Sequence, residues 1–250
     1  DHGLTADKIY NVDETGHSTV QNPSKVISVR GKKRVGAITS TERGQNTSGV
    51  YCASASGHML PPMLIFKRKR MCDSLKVDAP DGTIFACTDT GYSDGTVFLQ
   101  WLEHFIKMVK PTPQNKHLLL LDGHASHTKN LEAINLARQN GIIILSLPPH
   151  TTHRIQPLDV SFFKSLNSNY DIEVENSLRS SGGIAVGVHM VSRLVGKAFT
   201  KAATMETIVN GFRSSGLWPL NPHIFDEEFA KLEELLQPDS CPATDSSNRC

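Results

Sequence analysis

Apolar positions along this chain fall into two regimes. Short, nearly continuous runs occur at residues 8–12, 49–55, 62–66, 118–121 and 142–147. Runs of that length, bounded by glycine, proline and polar residues, read as strands buried on both faces. Elsewhere the spacing is helical. Val97, Trp101, Leu102, Phe105, Met108 and Val109 share one face, which predicts a helix capped by Ser93 or Asp94 and stopped at Pro111. Asn130 is placed to cap a second helix over 131–140 with Gly141 as its stop, and 160–166 reads as a third. Ser56-Gly57 turns the second apolar run back onto the third as a hairpin. Residues 26–38, rich in β-branched residues and glycine, predict an irregular hairpin or loop. The expected order is three strands, a helix, a strand, a helix, a strand and a helix.

Beyond residue 178 the pattern changes. Ser180-Ser-Gly-Gly183 predicts a flexible joint, followed by helices over 189–203 and 205–212 in which Val191, Leu194, Val195, Ala198, Phe199 and Ala202 share a face. A turn-rich stretch follows at 216–222, and Phe225, Phe229, Leu232 and Leu236 place a last amphipathic helix. The expected organisation is a core over 1–178, a helical extension over 184–236 and a disordered tail over 237–250. Trp101 and Trp218 read as core anchors.

Composition narrows the class. At 250 residues and 38% hydrophobic the chain can bury a full core, and no run approaches the ~20 apolar residues of a bilayer span, so no membrane partner is expected. Five cysteines, Cys52, Cys72, Cys87, Cys241 and Cys250, never fall in a Cys-x-x-Cys pair, which fits reduced thiols in an intracellular protein. A net charge of +1 hides an asymmetry: from Phe225 onward seven acids face two bases, leaving the preceding body at about +6. Two basic clusters, Lys25 to Arg34 and Lys67-Arg-Lys-Arg70, have the character of phosphate-backbone contacts, since each neutralised phosphate releases counterions. Ordinary solvated charge and nuclear import are the other readings. The acidic tail is expected to fold against the basic body and compete with DNA.

The chemistry concentrates in Asp13, Asp122 and Asp159. The first two end apolar runs, in Ile9-Tyr-Asn-Val-Asp and Leu118-Leu-Leu-Leu-Asp, and so are carried to a sheet rim; the third lies just before the helical stretch at 160. Singly, each reads as well as a helix cap or a turn acid. Gathered, three carboxylates repel unless protonated or neutralised, and the usual neutraliser is a pair of hard divalent cations.

At residue level the chain resembles the DDE superfamily endonuclease domain of pogo, Tigger and Jerky-type transposases. The matching segments are Tyr10-Asn-Val-Asp-Glu-Thr-Gly16, Lys32-Lys-Arg-Val-Gly36, Pro61-Pro-Met63, Leu120-Leu-Asp-Gly-His-Ala-Ser-His127, Leu147-Pro-Pro-His-Thr-Thr-His-Arg-Ile-Gln-Pro-Leu-Asp159 and Gly211-Phe-Arg-Ser-Ser-Gly-Leu-Trp-Pro-Leu-Asn-Pro222. Between Asp122 and Asp159 lie 36 residues, a spacing of the kind this family shows. The resemblance implies an α/β fold, an RNase H-like mixed sheet flanked by helices with a C-terminal helical extension. It also implies a nuclear DNA endonuclease and strand-transfer domain working as a homodimer or synaptic assembly, with Asp13, Asp122 and Asp159 as the catalytic and metal-binding acids. Two Mg²⁺ or Mn²⁺ ions roughly 3.5–4 Å apart are expected there. Related transposases read element ends with an N-terminal helix-turn-helix region, and none is legible within these residues.

Around the acids, Glu14 should point to the opposite strand face if the strand continues and reads as a supporting acid. His124 with His127 and His150 with His153 form two His-x-x-His pairs. Zinc ligation is one reading, but Pro148-Pro149 argues against a helix before His150. DNA contact or orientation of the aspartates is the expected role, with His124 or His127 nearest the metal site. Lys32, Lys33, Arg34 and Arg154 are the bases expected along DNA. A domesticated, non-catalytic DNA- or chromatin-binding descendant is the main alternative, and a nuclease acting on RNA a third.

Overall fold

A computed structural model describes residues 3–20, 44–123, 130–148 and 152–227. The predicted loop at 26–38, the bases Lys32, Lys33 and Arg34, the histidines His124, His127 and His150, the side chain of His153, and the last helix and acidic tail fall outside the described residues.

Six strands form one sheet: β1 (Ile9–Ser18), β2 (Asn46–Ser54), β3 (Met63–Lys67), β4 (Ile84–Thr88), β5 (His117–Leu121) and β6 (Ile142–Ser146), in the order β4-β3-β2-β1-β5-β6. β2 runs antiparallel to β1 and β3, while the β1-β5, β5-β6 and β3-β4 pairs are parallel. The carboxyl ends of β1, β3, β4, β5 and β6 therefore share one rim. Strands β3, β2, β1, β5 and β6 make the expected RNase H-like mixed sheet. β4 is an addition that the sequence reading missed, so four strands rather than three precede the first helix. Its Ile84-Phe-Ala-Cys-Thr88 run lies directly after a turn at Gly82, whose φ of +77° favours glycine.

Helices cover both faces. On one, α1 (Gly95–Val109) and α2 (Leu131–Gln139) pack Trp101, Phe105 and Ala133 against Tyr10, Val12, Cys52, Ile65, Leu119 and Leu121. Asp94 caps α1 by accepting from the Thr96 and Val97 amides, and Asn130 caps α2 through Ala133. Gly141, at φ +72°, lies so close to the Thr112 carbonyl that a side chain there would collide with it. On the other face a short α3 (Thr152–Ile155) leads into a π-helical turn (Leu158–Phe162), α4 (Phe163–Ser180), α5 (Val191–Ala202) and α6 (Met205–Ser214). Their Phe162, Leu166, Val174, Val195 and Phe212 join Ile9, Tyr51, Leu64 and Leu120 in one apolar cluster. The C-terminal helices thus share their core with the sheet. Trp101 is fully buried in the first cluster and Trp218 packs, partly buried, against the second.

Two boundaries differ from the sequence reading near the acids. β1 does not end at Val12: its ladder with β2 continues through Asp13 opposite Tyr51 to Ser18 opposite Asn46, because β2 supplies partners after β5 has stopped. Asp159 does not precede its helix but sits inside the π turn that opens α4, since Pro157 already has helical backbone angles.

Candidate active site

Strand alternation sets the first acid. Ile9 and Leu120 belong to the cluster beneath α4, whereas Tyr10 and Val12 face α1. With period two, Asn11 and Asp13 follow Ile9 onto the α4 face, and Glu14, opposite Val50, turns to the other. The parallel register pairs Ile9 with Leu118 and Asn11 with Leu120. Continued for two residues, it brings Asp13 level with Asp122, just past the end of β5.

Asp159 approaches from the helical layer above. It acts on Asp13 electrostatically: burial, then the Asp159 carboxylate, then more weakly Asp122 and Glu14, push the Asp13 carboxyl up to about 8. A hydrogen bond to its Oδ1 from the Glu14 amide, 2.8 Å, works in the opposite direction. The fold thus brings Asp122 and Asp159 within electrostatic reach of Asp13. Among the described residues, however, no group of three or more His, Cys, Asp or Glu side chains stands close enough to hold an ion as it is. The donor set still suits hard divalent cations, which prefer oxygen, and a cation there would offset the burial and like charge that hold Asp13 protonated.

Several residues that the sequence reading did not single out frame these acids. Asn11 is fully buried; its Nδ2 donates to the Leu120 carbonyl at 3.2 Å and its Oδ1 accepts from the Leu158 amide at 3.1 Å. A polar residue inside an apolar run was the only available signal. Asn167 donates to Thr15 and the Tyr170 hydroxyl to the Ser18 carbonyl, which fastens α4 along the distal half of β1. Gly211 of α6 lies against the Asp159 turn, where an added Cβ would stand 2.5 Å from the Pro157 carbonyl oxygen. The fully buried amide of Gln156 has no hydrogen-bond partner among the described residues.

Of the predicted bases, Arg154 is exposed on α3, one helical turn before the Asp159 segment. Lys67 at the end of β3, and Lys69 and Arg70 in the bend that follows, are also exposed, on the carboxyl rim that Asp122 occupies. Arg68 beside them lines an open cleft of about 770 Å³ with Thr88, Thr90 and Thr96.

Residues 45–212 match the family model of the DDE superfamily endonuclease. Asp122 and Asp159 fall inside that stretch and Asp13 ahead of it. The chain is 27% identical over 235 residues to the protein named MFS-type transporter clz9 of Cochliobolus lunatus, covering 89% of this chain and 24% of that protein. Among the described residues no helix is long and apolar enough to cross a membrane. It is 24% identical over 185 residues to the human Jerky protein homolog, covering 68% of this chain and 30% of the other, and 22% identical over 145 residues to the human pogo transposable element with ZNF domain, covering 58% and 10%. The chain therefore spans less than a third of these relatives' lengths. Among solved structures, the Mos1 mariner paired end complex with Mn aligns at TM-score 0.47 and 12% identity, over 86% of this chain and 56% of the other. The pre-cleavage Mos1 transpososome aligns at 0.45 and 13%, over 84% and 56%.

Proposed function

We propose, from the premise that this chain belongs to the DDE superfamily endonuclease family, that it is a transposase-type domain that cuts and joins DNA phosphodiesters, with Asp13, Asp122 and Asp159 as its catalytic carboxylates. The observation that carries this reading is the field at Asp13, where burial and two carboxylates from distant parts of the chain push one acid up to about 8. Isolated cap or turn acids would not be gathered in this way.

Asp13 on β1 and Asp122 just past the end of β5 would form one side of a site for two Mg²⁺ or Mn²⁺ ions, and Asp159 the opposite side. Such ions, when bound, lower the pKa of an attacking water or 3′-hydroxyl and stabilise the leaving oxygen. The chain's own part is to hold three oxygen donors in place, to shield Asp13 among Tyr51, Asn11 and the α4 layer, and to meet the DNA backbone with the bases of the carboxyl rim. Neither strand cleavage nor joining requires a covalent link to the protein. The reading implies a DNA partner, nuclear residence and assembly of two copies on paired ends.

A non-catalytic DNA-binding descendant is the second reading. It is favoured by the absence, among the described residues, of a ligand group already closed to metal-binding spacing. The two separate in one experiment: nicking of supercoiled plasmid with Mn²⁺ or Mg²⁺, run beside Asp122→Asn and Asp159→Asn. Nicking lost in both variants is the expected result. DNA binding without any metal-dependent nicking, in this chain and in a longer one, would leave the second reading standing.

A further inference from the structure

We infer that Asn11 is the positioning residue of the three-aspartate site: its single side-chain amide fixes the mutual placement of the segments that carry Asp13, Asp122 and Asp159. This rests on the reading of those acids given above.

The geometry is threefold. Asn11 lies two residues before Asp13 on the same strand face. Its Nδ2 donates to the carbonyl of Leu120, two residues before Asp122, and its Oδ1 accepts from the amide of Leu158, the residue before Asp159. At about 3.3 Å per residue, each strand-borne acid is within about 7 Å along the chain of the segment the amide grips. The β1-β5 pairing ends at Asn11 and Leu120, so the side chain adds its bond at the last rung of that ladder. The Leu158 amide opens a helical segment, where the first N–H groups have no intrahelical partner, and Leu158 is only 1% exposed.

The residue type fits the task closely. A planar amide donates from one side and accepts on the other at once; an ionised aspartate only accepts, leucine does neither, and glutamine is a methylene too long. Asn11 is also fully buried, and a buried polar residue in an apolar strand is retained at a penalty unless both of its ends are used.

The test compares the full 250-residue chain with Asn11→Leu, nearly isosteric and unable to make either bond, and with Asn11→Ser, which is read in its place if the leucine variant fails to fold. Val97→Ala, in the opposite apolar cluster, controls for a general loss of stability. Amide hydrogen exchange reads Leu158 and the 120–122 segment, and electron paramagnetic resonance of free Mn²⁺ reads metal affinity without any reaction. The expected result is exchange at Leu158 raised about tenfold, the effect of one lost buried hydrogen bond, with β2 and β3 still protected. Mn²⁺ should bind about tenfold more weakly, with the Val97→Ala protein matching the parent in both readouts. Unchanged Leu158 exchange with unchanged Mn²⁺ affinity overturns the inference. Equal weakening of Mn²⁺ binding in Val97→Ala overturns it too, since any loss of stability would then do the same. If the parent takes up no Mn²⁺, the metal reading fails on its own, and Leu158 exchange alone decides whether Asn11 sets the segment.

Discussion

His17 and Tyr51 meet in the interior at 2.7 Å, imidazole Nε2 to phenol oxygen, with the Tyr170 ring packed 4.9 Å from the imidazole. His17 is fully buried four residues beyond Asp13, and its Nδ1 has no partner among the described residues. Burial holds the ring neutral and its pKa down at about 4. The unfolded chain takes up a proton near the ordinary 6.5, and the folded one does not until about 4. Stability is therefore full above pH 6.5 and lost as pH falls through that window, by about 3 kcal/mol in all. Urea denaturation at pH 7, 5.5 and 4.5 should show the decline, and His17→Phe should flatten the part of it that this residue supplies. Parallel curves for parent and variant would mean that the fold leaves the proton affinity of the imidazole unchanged.

Asp13 carries the opposite linkage. Its raised pKa of about 8 means that the folded chain holds a proton that the unfolded chain releases near 3.8, so the metal-free protein loses stability as pH rises between the two. Asp13→Asn removes that penalty. The metal-free variant should be more stable than the parent at pH 7, by on the order of 2 to 4 kcal/mol. Added Mn²⁺ should raise the melting temperature of the parent but not of the variant, and the variant should not nick DNA. A variant less stable than the parent would show that the three carboxylates are not crowding one another.

Gly211→Ala sets two effects against each other. Alanine favours an exposed helix by about 1 kcal/mol over glycine, but the new methyl would stand 2.5 Å from the Pro157 carbonyl, backbone that cannot swing aside. Overpacking of this kind costs about 1–3 kcal/mol, so the net change should be destabilising. It should also weaken Mn²⁺ binding, because the strain falls on the turn that carries Asp159. A thermal melt and a metal titration together check it; a stabilised variant would place α6 farther from that turn.

The bases Lys69 and Arg70 are exposed on the same rim as Asp122. If both meet DNA phosphates, replacing the pair by glutamine should weaken binding and reduce the slope of log K against log salt by about 2, at ~0.9 for each phosphate contact. Fluorescence anisotropy with duplex DNA at several salt concentrations reads this directly. An unchanged slope would assign the pair to ordinary solvated surface.

Local signals in the sequence located most elements because they are local in physics. Asp94 and Asn130 cap helices with their own side chains, Gly141 stops one with its own backbone, and the leucine run at 118–121 is apolar enough to be a strand in almost any context. The place of Asp122 directly after that strand was legible for the same reason. What escaped was what depends on a distant partner. β1 runs on past Asp13 only because β2 is there to pair with polar Thr15, Gly16 and Ser18, and β4 is a strand because β3 offers it an edge. Asn11 and Gly211 matter through segments more than 50 residues away, and neither a lone asparagine nor a lone glycine announces its neighbour.

The π turn at Leu158–Phe162 hangs the third acid of the proposed site from a different support than the other two. Asp13 sits within the β1-β2 ladder and Asp122 directly follows the last residue of β5, so both take their positions from the sheet. Asp159 rides on a helical layer packed against α6. Substitutions among the C-terminal helices, far from any phosphate, should therefore act as an adjusting screw, altering the gap that the third acid must close while leaving the other two where they are.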